Sequence, residues 1–371
     1  MAKLSLSELT EMAATYVAEQ KIAVSDITAV REAVTNLVET IGAIFTLDTS
    51  FKDKLAFMDA EDLSFGKTVE EWQADLLLPT DYDSEGKDAL KPNDPSFRPV
   101  EFSYTLGEKT LATTVRRNQY NRAVHNEGQL SEIVAMIMKR LYDSNAVWVY
   151  QCKREALGRV IDMCEAEMSS NTVFAVATAY AVNALVKSAA SGSIAYGIVV
   201  KPYTANAATN WADAVKKGYI VVLDLIAKLA KPTDTASGEA FIKQVKKDVE
   251  KFQDISEGYS LNGNTLGAEE GLVLLVRQGI MPELEVETQA GAFHLDKVMI
   301  PTEVIVVKDF GDGNEKAYGI LMDRRMVRKF NTSLIPDSDH NGRGHFDNYY
   351  IHREDTIHIS RNTGVRIYEE E

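Results

Sequence analysis

Apolar residues recur with helical spacing from Asn126 to Ala166, a stretch without proline. Leu130, Ile133, Val134, Ile137, Leu141, Trp148, Cys152, Val160, Ile161 and Cys164 fall on one stripe. Asn126 is placed to cap the start, with Gln129 three residues on to reach back. About forty residues at ~1.5 Å each would span ~60 Å, longer than a small domain is wide. Such a helix is a coiled coil, a repeat element or a spine carrying separate subdomains. The pattern lapses at Asp143-Ser144-Asn145 and Gly158 interrupts it, so the spine is the expected form, with a bend near Asp143. Met136, Met138, Met163 and Met168 read as adaptable core packing along it.

Two shorter helical patterns precede it, at 5–20 and 25–46. Ser5 and Glu8 make a capping box, and Ser25 is a second candidate cap. Ile27, Val30, Val34, Leu37, Val38, Ile41, Ile44 and Phe45 line one face of the second. The first is narrow and marginal alone. It is expected against another subunit or another part of the chain, or packed with the second as a hairpin on its own domain.

From Leu63 the period changes to two. Trp72, Ala74, Leu76 and Leu78 alternate on one arm; Val100, Phe102, Tyr104, Leu106, Leu111, Thr113 and Val115 alternate on another. Between them, residues 79–96 are rich in proline and acid. The pattern predicts a long, half-polar hairpin, which is not stable in isolation and whose loop is long enough to have a task. The acidic tip (Asp81, Asp83, Glu85, Asp88) is expected to meet a basic patch on a neighbour, either Arg116–Arg117 or Arg324–Arg325.

Residues 172–330 read as an α/β unit: helices at 174–189, 211–230 and 238–254, and strands at Ile194–Val200, Leu272–Val276, Thr302–Val307 and Tyr318–Met322. A mixed sheet flanked by helices satisfies that order, with a turn at Asp312-Gly313. Four strand-like runs close the chain, at 326–336, 345–354, 356–360 and 364–368. They are expected to form a small antiparallel sheet on the spine helix.

Composition is that of a globular chain, with 371 residues, 45% hydrophobic and 26% charged. The net charge of −15 disfavours a protein that grips nucleic acid through its phosphates. The basic run at 115–122, with arginines around Tyr120, is therefore read first as salt-bridging and only second as nucleic-acid binding. No signal peptide or membrane-spanning run is read from the sequence, and a cytosolic setting is expected. Cys152 and Cys164 read as buried hydrophobes.

Candidate chemistry is sparse. Residues 337–347 hold Asp337, Asp339, His340, His345 and Asp347, but in no known ligand spacing, and Gly342 and Gly344 suit a hairpin turn. Asp309-Phe310-Gly311-Asp312-Gly313 reads as a turn. The sequence carries no GxGxxG, GxxxxGK[ST] or GxSxG motif, and no catalytic residue, cofactor or metal is assigned.

Four stretches carry a resemblance: FKDKLAFMDAEDLSFGKTVEEWQADL (51–76), RNQYNRAVHNEGQLSEIVAMIMKRLYDSNAVWVYQCKREAL (117–157), EEGLVLLVRQGIMPELEVETQAGAFHLDKVMIPTEVIVVKDF (269–310) and FDNYYIHREDTIHISRNTGV (346–365). In these stretches and their order the chain resembles major capsid proteins of tailed bacteriophages, in particular the short-tailed, phi-29-like group. The resemblance does not take in the segment before Phe51 or residues 190–265. It implies an α+β, HK-97-type fold. The divisions would be an N-terminal arm (1–62), an extended hairpin (63–118), a spine helix (119–170), an apical domain (171–328) and peripheral strands (329–371). It also implies a shell of hexamers and pentamers around double-stranded DNA, assembled in the host cytoplasm with a scaffolding protein and a portal, and no enzyme. The hairpin would then lie over an adjacent subunit and bury Trp72, Phe102 or Tyr104. Two other readings stand beside it: an encapsulin-like nanocompartment shell, and a metal-dependent hydrolase using His340, His345 and the neighbouring aspartates.

Overall fold

A computed structural model describes residues 51–370, apart from 64–65, 67, 75–85, 87–96, 101–102, 117–126, 177, 190–193, 202–209, 255, 263, 266–270 and 281–301. The two N-terminal helical patterns, the cap at Asn126 and the hairpin tip lie outside the described residues.

In chain order the elements are β1 (Glu71–Ala74), β2 (Phe97–Val100), β3 (Ser103–Arg116), α1 (Glu127–Glu167), β4 (Leu185–Lys187), β5 (Tyr196–Val199), α2 (Trp211–Lys216), β6 (Ile220–Leu223), β7 (Ile226–Lys228), α3 (Thr235–Phe252), β8 (Ser256–Glu257), β9 (Asn264–Thr265), β10 (Leu272–Arg277), β11 (Glu303–Val307), β12 (Ala317–Asp323), β13 (Val327–Asn341), β14 (Phe346–Ile359) and β15 (Val365–Glu369). They form two compact units. One holds the described residues up to Lys67, then Thr105–Lys153 and Lys329–Thr356; the other holds Thr68–Tyr104, Arg154–Arg328 and the chain from Ile357. The division falls inside α1.

The spine helix runs 41 residues as one element, and Asp143-Ser144-Asn145 stays helical. Ser144 turns its hydroxyl back to the Arg140 carbonyl, 2.7 Å away, so it bonds its own helix rather than breaking it.

In the first unit β13, β14 and β3 form one sheet in that order. β14 merges two of the expected runs. Its alternation buries Asp347, Tyr349, Ile351, Arg353 and Asp355 on one face, the period of a strand covered on one side. The helix joins the same core through Leu141, Tyr142, Asn145, Val149 and Cys152, all buried. Two expectations change here. The sheet's third strand is β3, the second arm of the hairpin, and the terminal run 364–368 is elsewhere. Thr110 bonds His352 at 2.9 Å and Thr114 donates to Asn348 at 2.7 Å. Partner numbers that fall as the chain rises mark β3 and β14 as antiparallel. The half-polar arm thus pairs with β14 within its own chain.

The second unit centres on a mixed five-stranded sheet, β11-β10-β12-β15-β7. β10 is parallel to β11 and antiparallel to β12, and β15 is parallel to β7. The run 364–368 became β15 because Val365, Ile367 and Tyr368 are fully buried there. Helix α3 starts on an Asp234–Ser237 capping box. It lays Phe241, Val245, Val249 and Phe252 against Leu274, Val276, Leu321 and Tyr368. Phe241 meets the Tyr368 ring edge-on at 5.2 Å.

A three-stranded sheet, β4-β5-β6, forms a satellite. The helices expected at 174–189 and 211–230 are corrected here. The first is instead an irregular segment ending in β4, with Val173 bridged to Lys187. Phe174 stacks on Tyr180 and meets Trp211 edge-on, at 5.4 and 5.8 Å, and that packing outweighs a weak helical preference. The second stops at Lys216. Gly218 takes φ +67°, which suits glycine, and the β-branched Ile220-Val221-Val222 then joins the sheet.

Candidate functional site

Among the described residues, the hairpin root is tied to the rest of its unit at several points. β1 and β2 pair antiparallel, Glu71 opposite Val100 and Ala74 opposite Phe97. Glu71 also reaches the chain after β14. Its carboxylate accepts from Ser360 Oγ at 2.8 Å and Asn362 Nδ2 at 3.0 Å on one oxygen, and faces His358 Nε2 at 3.2 Å on the other. Burial would push this carboxyl up, yet the three hydrogen bonds and the charge of His358 together hold it below the ordinary glutamate value. Further along, the Arg159 guanidinium of α1 lies over the Tyr104 ring, 3.9 Å from its centre.

The segment that leads into the hairpin is strapped to α1. Lys153 is fully buried. Its ammonium donates to Asp53 Oδ2 at 2.5 Å, Asp59 Oδ2 at 2.8 Å and the Leu55 carbonyl at 3.1 Å, so all three donors are used. Lys329 of β13 sits 3.2 Å from Asp59 and 3.6 Å from Asp355. Arg353 binds Asp355 through two nitrogens and Asn145 at 3.3 Å. The strap also bonds the β13 main chain, from the nitrogens of Ala60 and Leu63 to the carbonyls of Lys329 and Asn331. Leu55 and Met58 fill the space beneath.

A third tie holds the turn between β11 and β12 to the C-terminal part of α1. Arg154 pairs with Asp309, and Asn314 donates to the Gly158 carbonyl at 3.4 Å. Gly158 is there because a Cβ would lie 2.4 Å from the Phe310 carbonyl oxygen. These residues anchor extended elements. Among the described residues, no group of three His, Cys, Asp or Glu side chains could hold a metal ion, and no helix is long and apolar enough to cross a membrane.

A sequence profile described as Phi29-like phage major capsid protein matches residues 4–368. The chain belongs to this family. The match takes in both the segment before Phe51 and residues 190–265, which the four sequence stretches had left out. The major capsid protein of Bacillus phage B103 is 22% identical over 333 residues, 89% of this chain and 61% of that protein; the chain therefore spans less than two thirds of that relative. Among solved structures, a chain from the capsid of Staphylococcus phage Andhra superposes with a TM-score of 0.56 at 11% identity, over 88% of this chain and 86% of that one. One from the capsid of cyanophage P-SCSP1u gives 0.50 at 10% identity, over 87% and 88%. At such identity the likeness is one of fold, and it is the α+β, HK-97-type capsid fold.

In this Phi29-like capsid chain the residues singled out from sequence are dispersed. Trp72 is in β1 with its backbone opposite Pro99. Asp81, Asp83, Glu85, Asp88, Phe102 and Arg117 lie outside the described residues. Tyr104 meets Arg159 of its own chain. Arg116 is exposed at the end of β3. Arg324 pairs with Glu303, and Arg325 with the buried Asp323 at 2.8 Å, so both already face carboxylates at home. His340 bonds Asp347 at 2.6 Å beside the β13–β14 turn. Glu71, His358, Lys153 and Lys329 were not among the sequence candidates. The available signal was a lysine, Lys153, on the apolar side of a helix, a position that demands buried carboxylate partners.

Proposed function

We propose that this chain is the shell subunit of a phage head. Many copies would join as hexamers and pentamers into an icosahedral container for double-stranded DNA. The role is architectural, without catalysis. The observation that carries this reading is a family match across nearly the whole chain, on a fold shared with chains from phage capsids. The rooted hairpin and strapped entry segment suit it, since a tile must hold its extended elements at a set angle before neighbours arrive. The net charge of −15 suits a lining along which packaged DNA slides instead of sticking. Assembly in the host cytoplasm, with a scaffolding protein and a portal, is part of the same proposal. Within it, the acidic tip residues Asp81, Asp83, Glu85 and Asp88 meet a basic patch on the adjacent subunit, with Arg116 and Arg117 the candidates on β3 and just after it. Trp72 and Phe102 are the candidate apolar contacts of the hairpin with that neighbour.

No observation favours the nanocompartment or hydrolase alternatives. Electron microscopy of the purified protein, alone and co-expressed with a scaffolding protein, tests the proposal. Closed shells are expected; discrete monomers at every concentration and with every partner would overturn it. Nuclease-protected DNA in particles from the native context separates a phage head from a compartment filled with protein.

A further inference from the structure

Among the described residues, β1 and β2 pair only with each other and join no larger sheet. A two-stranded ladder is marginal by itself. Residues 75–96 connect its two strands, so the direction in which the ladder leaves its unit decides where that loop is carried. Glu71 is the first residue of β1, and its carboxylate meets three residues of the segment between β14 and β15 or at its edge: His358, Ser360 and Asn362.

Those three residues are held by bonds that do not involve Glu71. Ser360 N donates to the Met326 carbonyl at 2.7 Å, and Asn262 N donates to the Arg361 carbonyl at 3.0 Å. The Arg361 side chain pairs with Glu167 of α1. Asn362 N donates to Ser360 Oγ at 3.2 Å, which leaves that hydroxyl's own proton for Glu71. Asn362 Oδ1 accepts from Asn262 Nδ2, which turns its own Nδ2 to Glu71. Ile357, Ile359 and Val365 are fully buried around them. His358 is 6% exposed, and its Nδ1 has no hydrogen-bond partner among the described residues. An unbonded buried nitrogen costs free energy, and the contact this ring makes in return is with the hairpin. The site is thus formed in advance, with its donors aimed at one carboxylate.

We infer that Glu71 is the positioning residue of the hairpin: gripped by His358, Ser360 and Asn362, it fixes the direction in which β1 and β2 leave their unit, and that direction sets how fast a subunit joins its neighbours. The second half rests on the shell function proposed above; the first half stands without it. Fixing the direction before contact spares the ordering cost at the moment of association. Both the charge and the reach of the side chain are required. Aspartate keeps the charge but is one methylene short of the three donors. Glutamine keeps the reach and an oxygen for Ser360 and Asn362, but it sets an amide N–H against His358 Nε2, so the ring must move its proton to the unbonded Nδ1.

The test uses the full chain, first unassembled, with spin labels at Ser84→Cys in the loop and Glu239→Cys on the exposed side of α3. Cys152 and Cys164 are buried, which keeps the labels on the introduced sites. The label-to-label distance distribution should be about twofold wider in Glu71→Ala and Glu71→Asp than with Glu71 intact, with Glu71→Gln between. Equal widths would overturn the positioning role, and so would an aspartate variant as narrow as the glutamate. Should Glu71→Ala fail to fold, the aspartate and glutamine variants carry the comparison. Assembly is then followed by light scattering. Glu71→Ala and Glu71→Asp should assemble about tenfold more slowly. Val249→Ala, a truncation in the α3 core far from the carboxylate in sequence, controls for lost stability. If it slows assembly as much at a matched denaturant midpoint, the effect is one of general stability and the assembly half falls. If the unaltered chain never closes into shells, the shell function fails, while the distance widths still decide the positioning role.

Discussion

His358 Nε2 lies 3.2 Å from the Glu71 carboxylate, across a sequence separation of 287 residues. That contact joins the first strand of the extended hairpin to the chain leaving β14. With Ser360 and Asn362 it makes the root a polar clasp whose strength depends on the charge of one carboxylate.

The clasp should weaken in acid. The Glu71 carboxyl is held below its ordinary value of 4.5 when folded, so the unfolded chain binds more protons as pH falls. Its contribution is complete above about pH 4.5, the unfolded value, and is lost as pH drops through the folded value. Protection of the amides of residues 71–74, relative to the intrinsic exchange rate at each pH, should fall below that point. Glu71→Gln should remove this pH dependence, and Glu71→Ala should cost about 1–3 kcal/mol, read as a shift in denaturant midpoint of the unassembled subunit.

Lys153→Met should release the strap. It removes the buried cation, so Asp53 loses its Lys153 donor and Asp59 keeps only Lys329, 3.2 Å away. Breaking such a pair costs roughly 3–5 kcal/mol in buried settings. Asp59 is 43% exposed and can turn to water, so the lower end of that range is expected. Faster exchange at Leu55 and Met58, with β10 and β12 unaffected, distinguishes local release from general loss of stability.

Gly158→Ala should destabilise, although alanine is the better helix former by about 1 kcal/mol. The new Cβ would meet the Phe310 carbonyl oxygen at 2.4 Å, and backbone cannot yield as a side chain tip can. Overpacking of this kind costs about 1–3 kcal/mol. A lowered melting temperature is expected; a rise would mean that the β11–β12 turn is not seated on α1.

Arg159→Ala should loosen Tyr104 by about 0.5–2 kcal/mol. Arg159→Lys should recover only part of it, because an ammonium does not stack as the planar guanidinium does. Thermal unfolding of both variants measures the difference.

Reversing the charge of Asp81, Asp83 and Glu85 should slow shell formation while leaving the unassembled subunit's melting temperature unchanged. Exposed pairs are worth only ~0.2–1 kcal/mol each, but every subunit in a shell repeats them. Sedimentation of assembly reactions reads the yield; an unaltered yield would separate the tip from any role between subunits.

Local pattern was sufficient for elements whose partners share their period. The spine helix, α3, and the strands at β10, β11 and β12 were legible from spacing alone, and β10 and β12 are buried along almost their whole length. The segments around Phe174 and Ile220 were not, since aromatic packing and a single glycine outweighed a modest helical preference. The clasp and the strap were also not legible. Glu71, His358, Lys153 and Asp59 look like ordinary charged residues until the chain brings them together.

What the sequence by itself determined is the long elements, their order and the family, because periodicity, turn chemistry and the quoted stretches are properties of neighbours along the chain. Only the tertiary structure decided where the parts go. β3 is a strand of the β13–β14 sheet, and β15 crosses to complete the sheet of the other unit. The reason is that main-chain hydrogen bonding carries no address: any strand with unpaired amides can take any open edge. The choice was made by burial of Tyr349 and Ile351 on one side and Ile367 and Tyr368 on the other, contacts between residues far apart in sequence.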